Sequence, residues 1–205
     1  GFITIVYGAF VSLAQTNLKR MIAYSSVNHM GIVLLGIATL TPAGINGANF
    51  EMFSHGLAAA LLFALAGAIY DRLHTYEIGT MGGLAQIVPK LSWIFVIGSL
   101  GAMGLPGLAG FVAEFNVFIG SFQAFGAWTF LGLLGVVITA AYFLLTLQRA
   151  FFGPIPSIVP KIKDLIGAET HPYAILAVLL FVFGIFPFLL LSMLNPTTMA
   201  FLSNL

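Results

Sequence analysis

Cysteine is absent from this 205-residue chain, which excludes a disulfide within it and any thiolate ligand for zinc or an iron–sulfur cluster. Charge is scarce too: 6% of residues are Asp, Glu, Lys or Arg, against about 25% in soluble domains. Seven basic residues against six acidic ones leave a net charge of +1, and no basic patch points to nucleic acid as a partner. Segments of alternating polarity about ten residues long, the mark of a transmembrane β-barrel, are missing. So are a Walker A loop, a dinucleotide-type G-x-G-x-x-G after a strand, and a G-x-S-x-G nucleophile motif. Each of the central apolar segments carries one histidine, which argues against pairs of haem ligands. The chain opens Gly1-Phe-Ile-Thr-Ile-Val inside an apolar run, without a start methionine, a charged leader or a small-residue cleavage site; this reads as a fragment whose beginning is missing.

What is present is apolar. Hydrophobic residues make up 60% of the chain and the mean hydropathy is +1.08, in runs of about 20 residues or longer, enough to cross roughly 30 Å of hydrocarbon. An all-α integral membrane protein is expected. Hydropathy suggests six spans, at residues 1–15, 18–40, 49–70, 91–122, 126–151 and 172–193. Thr41-Pro-Ala-Gly44 and Gly120 to Gly126 read as short connections, while Asp71 to Pro89 and Gly153 to Pro172 are longer and more polar. Within the last of these, Ile158 to Ile166 has the pattern of a short amphipathic piece at the interface. Six alternating spans put Lys19, Arg20, Arg72, Lys90, Arg149, Lys161 and Lys163 on one side, with Gly1 and Leu205 on the other. By the positive-inside rule the basic side is the cytoplasm or its equivalent.

Against this background four ionisable residues stand out. Glu114 is the only charged residue between Trp93 and Phe122, and a carboxylate at that depth costs several kcal/mol (about 2.5–3.5 by insertion scales) unless it faces a protein interior or a hydrated path. The span that holds it is too long for one straight crossing. Gly104-Leu-Pro-Gly-Leu-Ala-Gly110 should break it, with unwound backbone inside the protein. His29 lies about eleven residues, roughly 16 Å, from the basic end of its span. A neutral imidazole both donates and accepts a proton and so suits a relay, although a histidine satisfied by a hydroxyl or carbonyl at a packed interface fits the pattern equally. His55 lies about seven residues, roughly 10 Å, from the outer end of the third span. Glu51 shares a helix face with His55 and could pair with it, or could sit at the interface in water, which is the expected reading. For Glu114 a permanent ion pair is disfavoured, because no basic residue of these spans is expected at its depth. The glycines and alanines from Gly56 to Gly67 make a smooth packing surface that needs no site.

Four stretches resemble one family: Gln15-Thr-Asn-Leu-Lys-Arg-Met-Ile-Ala-Tyr-Ser-Ser-Val-Asn-His-Met-Gly31; Ser54-His-Gly56 with Tyr70-Asp-Arg-Leu-His-Thr75; Met81-Gly-Gly-Leu84; and Gly104-Leu-Pro-Gly-Leu-Ala-Gly-Phe-Val-Ala-Glu-Phe115. They resemble the antiporter-like membrane subunits of complex I-type NADH:quinone oxidoreductases, with chain M, also called subunit 4, as the nearest type. Related subunits of type N and of Mrp sodium/proton antiporters carry lysine where this chain has Glu114. The resemblance implies fourteen transmembrane helices with two inverted five-helix repeats, of which residues 1–151 would be most of the second repeat, helices nine to thirteen. Residues 152–205 would hold a cytoplasmic-side loop and the final helix. It also implies that Glu114 ends a proton path, with His29 and His55 as relay groups, and that no cofactor or metal binds in this chain. NADH or another donor, flavin, iron–sulfur clusters and quinone belong, on this resemblance, to partner subunits, the other membrane-arm chains being direct partners together with the lipid bilayer. An energy-transducing membrane is the implied location. An Mrp-type antiporter subunit and a passive spacer of the membrane arm are the alternatives.

Overall fold

The computed structural model describes residues 1–156 and 162–204. Its α-helices are α1 (Phe2–Leu13), α2 (Leu18–Ala38), α3 (Pro42–Leu73), α4 (Leu84–Ile87), α5 (Pro89–Ala102), α6 (Ala109–Phe125), α7 (Thr129–Thr146), α8 (Thr170–Ile185) and α9 (Phe188–Leu202). Among the described residues there is no β-strand, only a single antiparallel bridge between Asn17 and Glu77. Among the described residues the chain is all-helical, with four helical runs long and apolar enough to cross a membrane: Leu18–Ala38, Pro42–Leu73, Ala109–Phe151 and Gly167–Ile185. Helices α1 and α9 are apolar but shorter.

Local chemistry sets the helix ends. Asn17 caps α2, its side-chain oxygen accepting the Arg20 N–H at 3.1 Å, and Thr41 caps α3 in the same way through the Gly44 N–H at 3.1 Å. Pro42 then occupies the first turn of α3, where its missing N–H costs nothing. Helix α3 therefore starts at residue 42, not 49, and runs 32 residues to Leu73. Its polar first turns, with Gly44, Asn46, Gly47 and Asn49, lower the local hydropathy and hide the true start. Likewise α6 continues to Phe125, so the connection expected from Gly120 shrinks to a single 3₁₀ turn at Gly126–Trp128.

The span expected at 91–122 is broken, between Ala102 and Ala109. Gly104 at φ +68 and Gly107 at φ +95 take left-handed conformations that a side chain disfavours, and Pro106 between them supplies no N–H. The segment expected as the last span, residues 172–193, is also interrupted, which the hydropathy did not reveal. Helix α8 ends at Ile185, the chain bends at Phe186-Pro187, and α9 continues nine residues past the expected boundary of 193. Ser192, Asn195, Pro196, Thr197 and Thr198 depress the hydropathy there. Asn46 of α3 ties α9 down: its amide donates to the Asn195 side-chain oxygen, and the Thr198 hydroxyl donates to the Asn46 oxygen at 2.6 Å.

At the opposite end the loops knit together. The Leu18 N–H bonds the Tyr76 carbonyl and the Ile78 N–H the Thr16 carbonyl, each at 2.8 Å. Arg72 donates to the Lys163 carbonyl at 2.7 Å and to Glu169 at 2.8 Å. The Asp164 carboxylate accepts from the Lys90 N–H at 2.8 Å and the Leu91 N–H at 3.1 Å, an anion placed on the N-terminus of α5. Lys19, Arg20, Arg72, Lys90, Arg149 and Lys163 thus share one end of the bundle. Lys161 and most of the amphipathic piece expected from Ile158 lie outside the described residues.

Candidate proton-transfer site

Helices α2, α3 and α6 pack side by side, and the site lies where they meet. The approach of α3 to α6 is close because Gly47 faces α6: a Cβ there would come within 2.6 Å of the Val117 nitrogen and 2.9 Å of the Ala113 carbonyl. Ala113 is the neighbour of Glu114, so this contact sets the register that aims the carboxylate at α2 and α3.

All four singled-out residues converge here. His29 Nδ1 of α2 lies 3.0 Å from Glu51 Oε1 of α3 and 3.8 Å from Glu114 Oε1 of α6. The His55 ring, one turn along α3 from Glu51, stacks on His29 with ring centroids 4.7 Å apart and planes inclined by 27°. The Ser54 hydroxyl donates to Glu51 Oε2 at 3.1 Å. His29 is 2% exposed, Glu51 1% and Glu114 6%, so the charges they carry are shielded from water and bound to one another's state.

Four expectations are corrected by this geometry. Glu51 is not an interfacial residue in water. It stands nine residues inside α3, because the helix begins at Pro42. Its partner is His29 rather than His55. Nor does His55 lie nearer the outer surface than His29: thirteen residues from the start of α3, it stacks on His29 at the same depth. Finally, a basic group does reach Glu114, since His29 lies within ion-pair range of it.

The helix break is part of the site. A Cβ built on Gly104 would fall 2.5 Å from Glu114 Oε2, so the glycine serves twice, allowing the positive φ and leaving room for the carboxylate. Glu114 also lines a cavity of about 580 Å³ between α6 and α7, walled by Gly104, Phe111, Phe115, Phe118 and Leu133. Glu114 is the one carboxylate in that mostly apolar wall, which Gln123 and Thr129 complete.

Chemically the cluster brings together groups that can share and exchange a proton. One proton is held between His29 Nδ1 and Glu51, donated by whichever of them carries it. Nδ1 has one lone pair or one hydrogen to offer, so bonding to Glu51 and bonding to Glu114 are mutually exclusive. Two further buried atoms, His29 Nε2 and His55 Nδ1, have no hydrogen-bond partner among the described residues. The ligand atoms of His29, Glu51 and His55 lie within 4.8 Å of one another, an N/N/O set of a kind that divalent cations accept, although the His29–Glu51 hydrogen bond already occupies two of the three.

This arrangement can be set beside known proteins. The profile of the family described as NADH:quinone oxidoreductase/Mrp antiporter, transmembrane part, matches residues 1–140. The chain belongs to this family. Among relatives within the NADH:quinone oxidoreductase/Mrp antiporter family, NAD(P)H-quinone oxidoreductase chain 4 2 of Synechococcus sp. (strain JA-3-3Ab) is 42% identical over 100% of this chain and 40% of its own length. F(420)H(2) dehydrogenase subunit M of Methanosarcina mazei is 40% identical over 99% of this chain and 41% of its own. A chain of respiratory complex I from Thermus thermophilus with bound NADH superposes with a TM-score of 0.92 at 36% identity, over 98% of this chain and 43% of that one. The chain spans about 40% of the length of these curated relatives, and it has the fold of a complex I membrane subunit.

Proposed function

We propose that this chain is part of a proton-translocating membrane subunit of a complex I-type oxidoreductase, coupling electron transfer to quinone with proton export through an intramembrane Glu/His relay. The observation that carries the reading is the convergence of Glu114, His29, Glu51 and His55 at the break between α5 and α6. Buried ionisable groups that meet on facing helices, beside unwound backbone, form the kind of site that moves ions through membranes. In this reading Glu114 is the terminal acid, while His29 and His55 pass the proton on. Glu51, which the sequence left without a role, holds the shared proton against His29.

The chain then crosses the membrane six times, as α1, α2, α3, α5 with α6, α7, and α8 with α9. Residues 1–151 form most of the second antiporter-like repeat, and 152–205 the cytoplasmic-side loop and final helix. The basic end faces the cytoplasm or its equivalent in an energy-transducing membrane. Direct partners are the other membrane-arm subunits, and the flavin, the iron–sulfur clusters and the quinone belong to partner subunits of the assembly. Electrostatic changes in those neighbours tip His29 between Glu51 and Glu114, so no cofactor is needed in this chain.

Glu114→Gln, made in the protein in its native membrane, tests the role. Proton pumping per electron transferred should fall sharply while the complex still assembles. Undiminished pumping would refute the assignment. The Mrp-type antiporter reading is the second, since the family includes those proteins; it predicts sodium-dependent proton movement without any electron donor. A passive spacer would tolerate apolar residues at Glu114, His29 and His55 together.

A further inference from the structure

The His29 cluster holds more donor atoms than one shared proton can bind. His29 Nδ1 faces two carboxylates, Glu51 Oε1 at 3.0 Å and Glu114 Oε1 at 3.8 Å, and one hydrogen on that nitrogen serves one of them at a time. The His55 ring lies against His29 with centroids 4.7 Å apart, and its Nδ1 is buried without a hydrogen-bond partner among the described residues. The ligand atoms of His29, Glu51 and His55 lie within 4.8 Å of one another. Two imidazoles and two carboxylates therefore meet at one buried point, and a single proton leaves a nitrogen and a carboxylate oxygen unbound. Buried polar atoms without partners call for an explanation, and a bound ion is one of the usual ones.

A divalent transition metal ion satisfies all four side chains at once. Ligands of a tetrahedral zinc ion, each at about 2.0–2.1 Å, are spaced by about 3.3 Å, which falls between the two distances from His29 Nδ1 to the carboxylates. Glu51 is oriented for this role. The Ser54 hydroxyl donates to its Oε2 at 3.1 Å and leaves Oε1, on the His29 side, for the ion, as outer hydrogen bonds do for metal ligands. His55 has the farthest to come, up to about 1.5 Å for that tetrahedral spacing, and it is part-buried with no bond at Nδ1 to give up. Two carboxylates balance the charge of a divalent ion, so ion and site are neutral together, as burial requires. Ligand type also selects the ion: imidazole suits zinc, nickel and copper, whereas magnesium and calcium take sets of oxygens. No cysteine elsewhere in the chain competes for such a metal.

We propose that His29, Glu51 and His55, with Glu114 as fourth ligand, form a binding site for a divalent transition metal ion of the zinc type. The ion enters in place of the shared proton, which leaves to water. It occupies the nitrogen and both carboxylates between which that proton moves, so the metal-bound form is the relay locked shut, with α2, α3 and α6 clamped together. The site takes its purpose, a regulatory stop, from the relay reading; its existence rests on the placement of the four side chains alone.

Zinc itself is the probe. The whole complex is purified from native membranes, stripped with a chelator and returned to a buffered free zinc concentration under excess magnesium. The unmodified protein should hold one zinc ion more than the His55→Phe variant, whose ring keeps the stack on His29 but offers no ligand atom, and X-ray absorption at the zinc edge should show imidazole nitrogen in the difference. Equal zinc in the two proteins, or a difference without imidazole, overturns the site. Should His55→Phe fail to assemble, amide exchange of the unmodified protein decides instead: zinc but not magnesium should slow exchange about tenfold or more in residues 18–38, 42–73 and 109–125 together, and unchanged exchange overturns the site. These readouts report the ion rather than pumping. Normal pumping by Glu114→Gln beside the extra zinc would remove the relay and leave the site standing, while a missing zinc beside a pumping-dead Glu114→Gln would remove the site alone.

Discussion

His29 and Glu51 are joined by a 3.0 Å hydrogen bond, with both side chains 2% exposed. A bond between an imidazole and a carboxylate at that burial holds one proton in a place where neither partner finds water to exchange it with. Glu114, at 3.8 Å from the same nitrogen, is the other group able to compete for it. The three residues, from three helices, are thus one hydrogen-bonding unit, and a change in any one is felt by the other two.

Glu51→Gln separates holding a proton from exchanging it. The amide keeps the size of the side chain and a hydrogen bond to His29, so α2 and α3 stay packed and the protein assembles. The amide cannot take up or give back the proton, and proton pumping should drop by about 10²-fold or more, the scale of losing a positioned acid or base. Pumping is read as fluorescence quenching of a pH-sensitive dye in inverted vesicles, normalised to electron transfer. A quench equal to that of the unmodified protein would show that Glu51 is only a structural partner of His29.

Gly104 and Gly107 offer a paired comparison. Alanine at either position must adopt a left-handed backbone, at a cost of about 1–2 kcal/mol. At Gly107 the space around a Cβ is open, whereas at Gly104 the same atom meets the Glu114 carboxylate. Both variants should therefore lose similar thermal stability, while Gly104→Ala alone should lose proton pumping, because the carboxylate has to leave its place beside His29. Equal pumping in the two variants would show that Glu114 moves freely around the break.

The break and the acid were legible in the sequence for plain reasons. Three glycines and a proline from Gly104 to Gly110 cannot continue a helix, and a lone glutamate in a long apolar run is visible without any structure. Glu51 was misjudged because hydropathy, which averages over a window, placed the start of its helix at 49. The cap at Thr41 and the proline at 42 marked the start correctly, and they move Glu51 from the surface to the third turn. The same seven-residue error put His55 too far out and concealed the stack with His29. The ending of the last span failed in a similar way: Asn195 and Thr198 look like a polar surface terminus, but their polarity is spent on Asn46. Polar residues in a buried helix read as exposed until the partner is known, and that partner is 149 residues away.

The Asn46 cluster leads to a test of how α9 is held. Asn46 is bonded through its amide to Asn195 and through its oxygen to Thr198, so its side chain is engaged with α9. Asn46→Leu removes both bonds. Interhelical hydrogen bonds in membranes average about 0.6 kcal/mol and reach about 1.7, so the two together hold α9 by about 1–2 kcal/mol. The Thr198 hydroxyl can turn back to a carbonyl of its own helix, which limits the damage. Amide exchange in residues 188–202 should then rise about tenfold, with α2, α3 and α6 unaffected and pumping retained. If exchange rises instead across α3, the asparagine supports the packing of its own helix, and the bend at Phe186-Pro187 is set by α8 alone.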